Sequence, residues 1–338
     1  MAIAHTVPTI DVSPYLQDDA SPERKAGTVE RVKAACFEYG FLQVTGHGIP
    51  LDVQHRMLGS CKTLFDLPQE RKDGLSLKNN PARRGYERVG EQVLDHKALP
   101  DQKEGFYIGR EVPPDDIGFL RGPNEWPDLP EETFHQPVTE YYQHMLRLGK
   151  ALLEMLVIGH GHDISVLETF TKEPVVNLKL LHYPPHISKD ERQFGAGAHT
   201  DFGSITMLLQ QPGKHGLQVY HEPSGGWLPV PAVEDVLIIN IGDLFHKWSD
   251  GRYNSTLHRV LNISGGDRYS VPCFYQGDLS ATNPFKAGEA SGDRYSVPCF
   301  YEGDLIATNP FKPEETSGET VEQHIRKKFD QSYGLSAK

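Results

Sequence analysis

From Val175 to Tyr275 the chain is a succession of short β-prone runs separated by Gly, Pro and Asp turns, and this stretch limits the possible folds most sharply. LKLLHYPP, SITMLLQ, STLHRVLN and RYSVPCFY are short runs set between turn residues, the last of them β-branched and aromatic. Many short strands in this spacing are the signature of a barrel or jelly roll. The preceding chain has a different periodicity. Ser21 as N-cap, Pro22 at the first helical position and Glu23 in the first turn start a helix that carries Val29, Val32 and Cys36 on one face and stops at Gly40. A second helix from about Asp52 to Phe65 buries Met57, Cys61 and Leu64. The longest runs from about Val138 to Ile158, with Tyr141, Met145, Leu148, Leu152, Met155 and Leu156 at helical spacing. Helices first and strands afterwards predict an α+β arrangement. Residues 74–128, rich in Gly, Pro and charge, read as a long loop of the kind that is functional or mobile.

Inside the strand-rich region, HTDFGSITMLLQ places His199 and Asp201 two residues apart at the start of an alternating run, so a strand would aim both at one spot. A catalytic metal needs a third ligand, and His258 in STLHRVLN is the best candidate; Asp250-Gly251 before it has the composition of a type I′ hairpin turn. Two histidines and one carboxylate, with other positions open, form the facial triad of non-haem Fe(II) oxygenases. Ten residues beyond His258, Arg268 and Ser270 again share a strand face. A guanidinium fork with a hydroxyl beside it suits a carboxylate, such as the far end of a chelating cosubstrate. GHGHD, with His160, His162 and Asp163, could also suggest a metal site, but its glycines mark a helix terminus, where histidine suits the negative dipole end.

VPTIDVSPYL, FEYGFLQVTGHGIP, LFDLPQERK, LKLLHYPP, GAHTDFGSITMLLQ, GLQV, INIGDLFHKWSDGRYNSTLHRV and RYSVPCFY occur in that order. Together they resemble the Fe(II)- and 2-oxoglutarate-dependent dioxygenases of the isopenicillin N synthase-like family. RRGYERVG followed by DQKEGFYIGRE is most similar to fungal thymine 7-hydroxylase-type enzymes. The resemblance implies a double-stranded β-helix core (jelly-roll, cupin-like) with flanking N-terminal helices and a C-terminal helix. It implies Fe(II) held by His199, Asp201 and His258, and 2-oxoglutarate whose far carboxylate meets Arg268, Ser270 and Tyr183. The family's usual Asn two positions before that tyrosine is replaced by Leu181. With O2, and ascorbate as reductant, such an enzyme hydroxylates or desaturates a small molecule and releases succinate and CO2 (EC 1.14.11.-). The alternatives are a same-fold oxidase that does not use 2-oxoglutarate and a non-enzymatic metal-binding barrel. Arg84, Tyr86, Lys103 and Phe106 are the candidate substrate contacts, in a segment the resemblance places in part over the active-site mouth.

The formal charge of −12 and the lack of any Lys/Arg run argue against a nucleic-acid or membrane partner. Four cysteines without a CxxC pair point to reduced thiols in a cytoplasmic protein, and no apolar run approaches membrane-spanning length. The expected organisation is one structural domain: an N-terminal region (1–128), a supporting helix (129–171), the jelly-roll core (172–286) and a tail (287–338). Its expected assembly is a monomer or weak homo-oligomer, and its expected setting secondary metabolism. The C-terminal part holds a tandem duplication: GDRYSVPCFYQGDLSATNPFK from Gly266, at the end of the core, recurs almost unchanged from Gly292 in the tail, an offset of 26 residues. Either Arg268 with Ser270 or Arg294 with Ser296 could therefore form the clamp. The short link from His258 favours the first copy, because consecutive strands usually pair. ETVEQHIRKKFDQSYG then reads as a closing amphipathic helix.

Overall fold

The computed structural model describes residues 5–281 except 96, 114, 186–189 and 264, together with residues 283, 325, 326, 328 and 332. In chain order the strands are β1 (Thr9–Asp11), β2 (Phe41–Thr45), β3 (Gly85–Glu87), β4 (Glu104–Gly109), β5 (Val175–Tyr183) and β6 (Ala196–His199). They continue with β7 (Ile205–Gln210), β8 (Leu217–His221), β9 (Gly226–Pro229), β10 (Leu237–Ile241), β11 (His258–Val260) and β12 (Arg268–Gly277). The helices are α1 (Ser13–Leu16), α2 (Pro22–Glu38), α3 (Leu51–Phe65), α4 (Gln69–Gly74), α5 (His135–His160) and α6 (Asp243–Trp248).

Two sheets form the core. The larger has the order β1-β2-β10-β7-β12-β5-β4-β3, and the smaller β6-β11-β8-β9. Apart from the parallel β1–β2 pair, every named-strand pairing among the described residues is antiparallel. Alternation along the central strands separates two tasks. On β5, Val176, Leu178 and Leu180 join the helix-side core, while Asn177, Lys179, Leu181 and Tyr183 line a cavity between the sheets. On β12, Tyr269, Val271, Cys273 and Tyr275 take the core side, and Arg268, Ser270, Pro272, Phe274 and Gln276 the cavity side.

The helices cover the outer face of the large sheet, with α3 against β5 and β12 and α5 against β7. On α5 the stripe Tyr141, Met145, Leu148, Leu152, Met155 and Leu156 is buried, as its spacing predicts. Gly149 lies in that stripe because a Cβ there would stand 2.7 Å from Tyr275 and 2.9 Å from Met207. Ser21 caps α2 by accepting a hydrogen bond from the Arg24 amide at 3.4 Å, and α5 ends at Gly161 in the left-handed region.

Two sequence expectations change. The segment 74–128 contains β3 and β4, which extend the large sheet beside β5, so it is not a loop throughout. GYE and EGFYIG have few β-branched residues, and their strand character comes from pairing. Asp250 and Gly251 do have positive φ, at 51° and 75°, but they close α6 rather than a hairpin: the Gly251 amide bonds the His246 carbonyl at 2.9 Å. The first copy of the duplicated sequence supplies β12, between β5 and β7, while the second copy, with Arg294, Ser296 and Cys299, lies outside the described residues. Of the closing helix, Ile325, Arg326, Lys328 and Ser332 are described and helical.

Candidate active site

His199 ends β6 and His258 opens β11, and the two are register partners, with ring centroids 4.2 Å apart. The alternation suggests one strand for His199 and Asp201, but Asp201 lies in the turn after β6. That turn is fixed by the Asp243 amide, which bonds the Asp201 carbonyl at 2.7 Å. The three residues nevertheless converge. Their potential ligand atoms lie within 4.8 Å of one another, with the two Nε2 atoms 3.9 and 3.8 Å from Asp201 Oδ1.

Each imidazole is oriented by its own backbone. His199 Nδ1 donates to the Gly197 carbonyl at 2.7 Å and His258 Nδ1 to the Thr256 carbonyl at 3.0 Å, which leaves both Nε2 lone pairs facing Asp201. Asp201 Oδ2 accepts from Asn240 at 2.6 Å and from the Thr206 hydroxyl, which leaves Oδ1 open toward the histidines. Burial, reinforced by His258, moves the His199 pKa well down. Burial works against the Asp201 carboxylate, but the two histidines with Asn240 and Thr206 outweigh it, and its pKa falls. A neutral His199 beside an ionised Asp201 is in the protonation state a divalent metal requires.

The same cavity reaches Arg268, which is 1% exposed. Its Nε donates to the Lys214 carbonyl at 3.2 Å and its Nη2 to Gln210 at 3.0 Å, with the guanidinium carbon 4.6 Å from the centre of the Tyr183 ring. Nη1 is buried and has no hydrogen-bond partner. A buried, unmatched guanidinium nitrogen is costly unless an acceptor arrives, and a carboxylate supplies one. Ser270 and Tyr183 line the cavity beside it.

Of the candidate substrate contacts, Lys103 lines this cavity, whereas Arg84, Tyr86 and Phe106 do not. Phe106 falls on the other face of β4 from Tyr107 and packs edge-on against Phe134. Arg84 is held by Asn177 and by the Leu120 carbonyl, and the Tyr86 hydroxyl bonds Glu104. Lys103 pairs with the buried Asp101, which also accepts the Gly197 amide at 2.9 Å. No local pattern singles out Gln92, Tyr107, Asn177, Lys179 or Phe202, all of which line the cavity. Lys179 is the least expected: it is 2% exposed, pairs with buried Glu87 at 2.6 Å and contacts Gln92 at 3.1 Å. The alternation in LKLL is its one available signal, and a Lys in such a run usually marks a solvated face. His160 ends α5, and Asp163 caps the following turn by accepting from the Ser165 amide at 2.9 Å.

A jelly roll in which two imidazoles and a carboxylate converge on one cavity, with a buried arginine whose Nη1 is unmatched in the same cavity, is the arrangement found in mononuclear non-haem iron oxygenases. Comparison with known proteins narrows the class. Residues 7–129 match the non-haem dioxygenase in morphine synthesis N-terminal family and residues 173–277 the 2OG-Fe(II) oxygenase superfamily. The chain is 50% identical to the 2-oxoglutarate-dependent dioxygenase caaD of Aspergillus niger, over 97% of this chain and 94% of that one. It is 46% identical to traH, a 2-oxoglutarate-dependent dioxygenase of Penicillium crustosum, over 98% of this chain and 94% of that one. Among solved structures, a full-length Neurospora crassa protein in complex with alpha-KG and thymine matches with a TM-score of 0.72 at 27% identity, covering 81% of this chain and 87% of that one. The chain belongs to the 2-oxoglutarate- and Fe(II)-dependent oxygenase superfamily and is a 2-oxoglutarate-dependent dioxygenase.

Proposed function

We propose that His199, Asp201 and His258 hold Fe(II), that Arg268, Ser270 and Tyr183 receive the far carboxylate of 2-oxoglutarate, and that the enzyme hydroxylates or desaturates a small organic molecule. The observation that carries this reading is the pairing, in one cavity, of three converging ligands with the unmatched Nη1 of Arg268. Bound Fe(II) would supply O2 activation coupled to decarboxylation of 2-oxoglutarate, so that each turnover consumes one O2 and releases succinate and CO2. The chain's own residues do the rest. The backbone carbonyls of Gly197 and Thr256 keep both imidazoles turned toward Asp201, and Asn240 with Thr206 keeps Asp201 Oδ1 available. Arg268 sets the length and direction of the cosubstrate, with the Tyr183 ring stacked against its guanidinium. Leu181, where the family has an asparagine, makes that end of the cavity less polar.

Leu94, Leu208, Leu217, Phe202 and Phe274 give the cavity an apolar lining, and Lys103, Lys179, Gln92 and Asn177 give it polar points. This combination suits a compact apolar skeleton bearing carbonyl or carboxylate oxygens, a description that fits a secondary metabolite. Free, buried Cys36, Cys61 and Cys273 support a cytoplasmic setting, where ascorbate would keep the iron reduced. Among the described residues no helix is long and apolar enough to cross a membrane.

The test is a screen of small carbonyl-bearing compounds with Fe(II), ascorbate and 2-oxoglutarate, scored by succinate. Substrate-dependent succinate release in step with O2 uptake is expected. Substrate-dependent O2 uptake without 2-oxoglutarate would overturn the assignment of Arg268 in favour of an oxidase.

A further inference from the structure

A second cluster of ligand-type side chains lies outside the oxygenase site. His221 ends β8 and is 3% exposed, packed between two rings: His5, at a centroid distance of 4.7 Å, and Tyr39, stacked at 5.1 Å. Its Nδ1 lies 2.9 Å from Ser224 Oγ, and that hydroxyl donates its own proton to the His221 carbonyl at 3.1 Å. With that proton on the carbonyl, Ser224 accepts from Nδ1–H, which turns Nε2 to the ligand position. Nε2 is buried and has no hydrogen-bond partner. Ligand atoms of His5, Glu38 and His221 lie within 4.8 Å of one another. Glu38 is the last residue of α2, where the helix dipole adds to the attraction for a cation.

We propose that His5, Glu38 and His221 form a second metal site, for a divalent transition ion of the Zn(II) type, which staples the segment before β1 to the ends of α2 and β8. Two imidazoles and a carboxylate suit Zn(II) and exclude a Ca(II) or Mg(II) preference, and water would complete a tetrahedral set. The proposal accounts for an otherwise unmatched buried nitrogen and for its orientation by Ser224. It also gives the ion a mechanical consequence. Val7, two residues after His5, packs in the same apolar cluster as Phe41, Leu181, Tyr183, Ala196 and Val260, which line the oxygenase cavity. Fixing His5 would therefore hold that wall in place.

The experiment uses the full chain, stripped with a chelator and titrated with Zn(II) alone against a chromophoric competitor. Wild type is expected to take up two tight equivalents, and a His199→Ala/Asp201→Ala variant one. In that variant background, His5→Ala and Glu38→Gln, both at exposed positions, should each weaken the remaining site at least tenfold. His221→Ala should remove it, with circular dichroism confirming the fold. Zn(II) should raise the melting temperature of the His199→Ala/Asp201→Ala variant and leave that of its Glu38→Gln derivative unchanged. Absence of a tight equivalent in the His199→Ala/Asp201→Ala variant, or unchanged affinity in both His5→Ala and Glu38→Gln, would overturn the proposal.

Discussion

Arg268→Ala removes a side chain that is 1% exposed, two donor contacts at 3.2 and 3.0 Å, and the buried Nη1 that has no protein acceptor. The consequences separate into two measurable parts. The two hydrogen bonds to Lys214 and Gln210 belong to the folded state, and losing them costs stability of about 1–3 kcal/mol at 0.5–1.5 kcal/mol each. On the proposed reading Nη1 meets the cosubstrate carboxylate, and a charge-assisted bond is worth about 1.5–3 kcal/mol. That range corresponds to a roughly 10- to 150-fold higher 2-oxoglutarate requirement. The assay is initial succinate formation across a 2-oxoglutarate titration at saturating substrate, with a urea melt on the same preparation. Because RYSVPCFY occurs twice, the second copy is the natural control: Arg294→Ala alone should leave the requirement within about twofold. Threading the second copy into the place of β12 would lengthen the link from His258 from 10 to 36 residues. By the logarithmic closure rule that costs only about 1 kcal/mol. The stability lost in Arg268→Ala is of the same size, so the Arg268→Ala/Arg294→Ala double variant completes the set. A wild-type 2-oxoglutarate requirement in a folded double variant would refute the clamp outright.

His199→Ala or Asp201→Ala should abolish turnover and weaken iron binding by well over tenfold with the fold intact; wild-type iron content by metal analysis would contradict the ligand assignment. Asn240→Ala, which takes away one of the two donors on Asp201 Oδ2, should lower iron affinity about 10- to 100-fold, read by Fe(II) titration. His160→Ala and His162→Ala should keep activity within about twofold, and loss of iron in either would point to the α5 terminus instead. His182 sits between Glu104 at 2.7 Å and Asp267 at 2.8 Å; burial opposes its charge, but these carboxylates win and its pKa is raised. Its stabilisation should be complete below the unfolded histidine pKa of about 6.5 and be lost as pH rises through the higher folded value. Urea midpoints across that range should show the fall in wild type and a flatter profile in His182→Gln.

Much of the site could be read from the chain because its chemistry is local. His199 with Asp201, and Arg268 with Ser270, are pairs two residues apart, and His258 follows in a recognisable strand. The convergence of the first pair was legible although its reason was not: Asp201 gets there through a turn held by Asp243. Of the four candidate substrate contacts only Lys103 lies on the cavity wall. Lys179 is kept inside by Glu87, 92 positions away in the chain, and no local pattern encodes such a pairing. The same holds for Asn240, whose contact with Asp201 joins β10 to the turn after β6. β3 and β4 were missed because glycine-containing runs become strands when β5 offers β4 an edge and β4 offers one to β3.

The alternation of faces on β5 has a consequence for how such a protein changes over time. Val176, Leu178 and Leu180 anchor the strand beneath the helices, while Asn177, Lys179 and Leu181 look the other way, into the cavity. Neighbouring positions therefore meet separate surroundings, one set the core beneath the helices and the other the cavity. Substitutions at every second residue would reshape the cavity without disturbing the anchor, provided that Lys179 changes together with its partner Glu87 and Asn177 together with Arg84. The scaffold is thus conservative and its chemistry adaptable within the same nine residues.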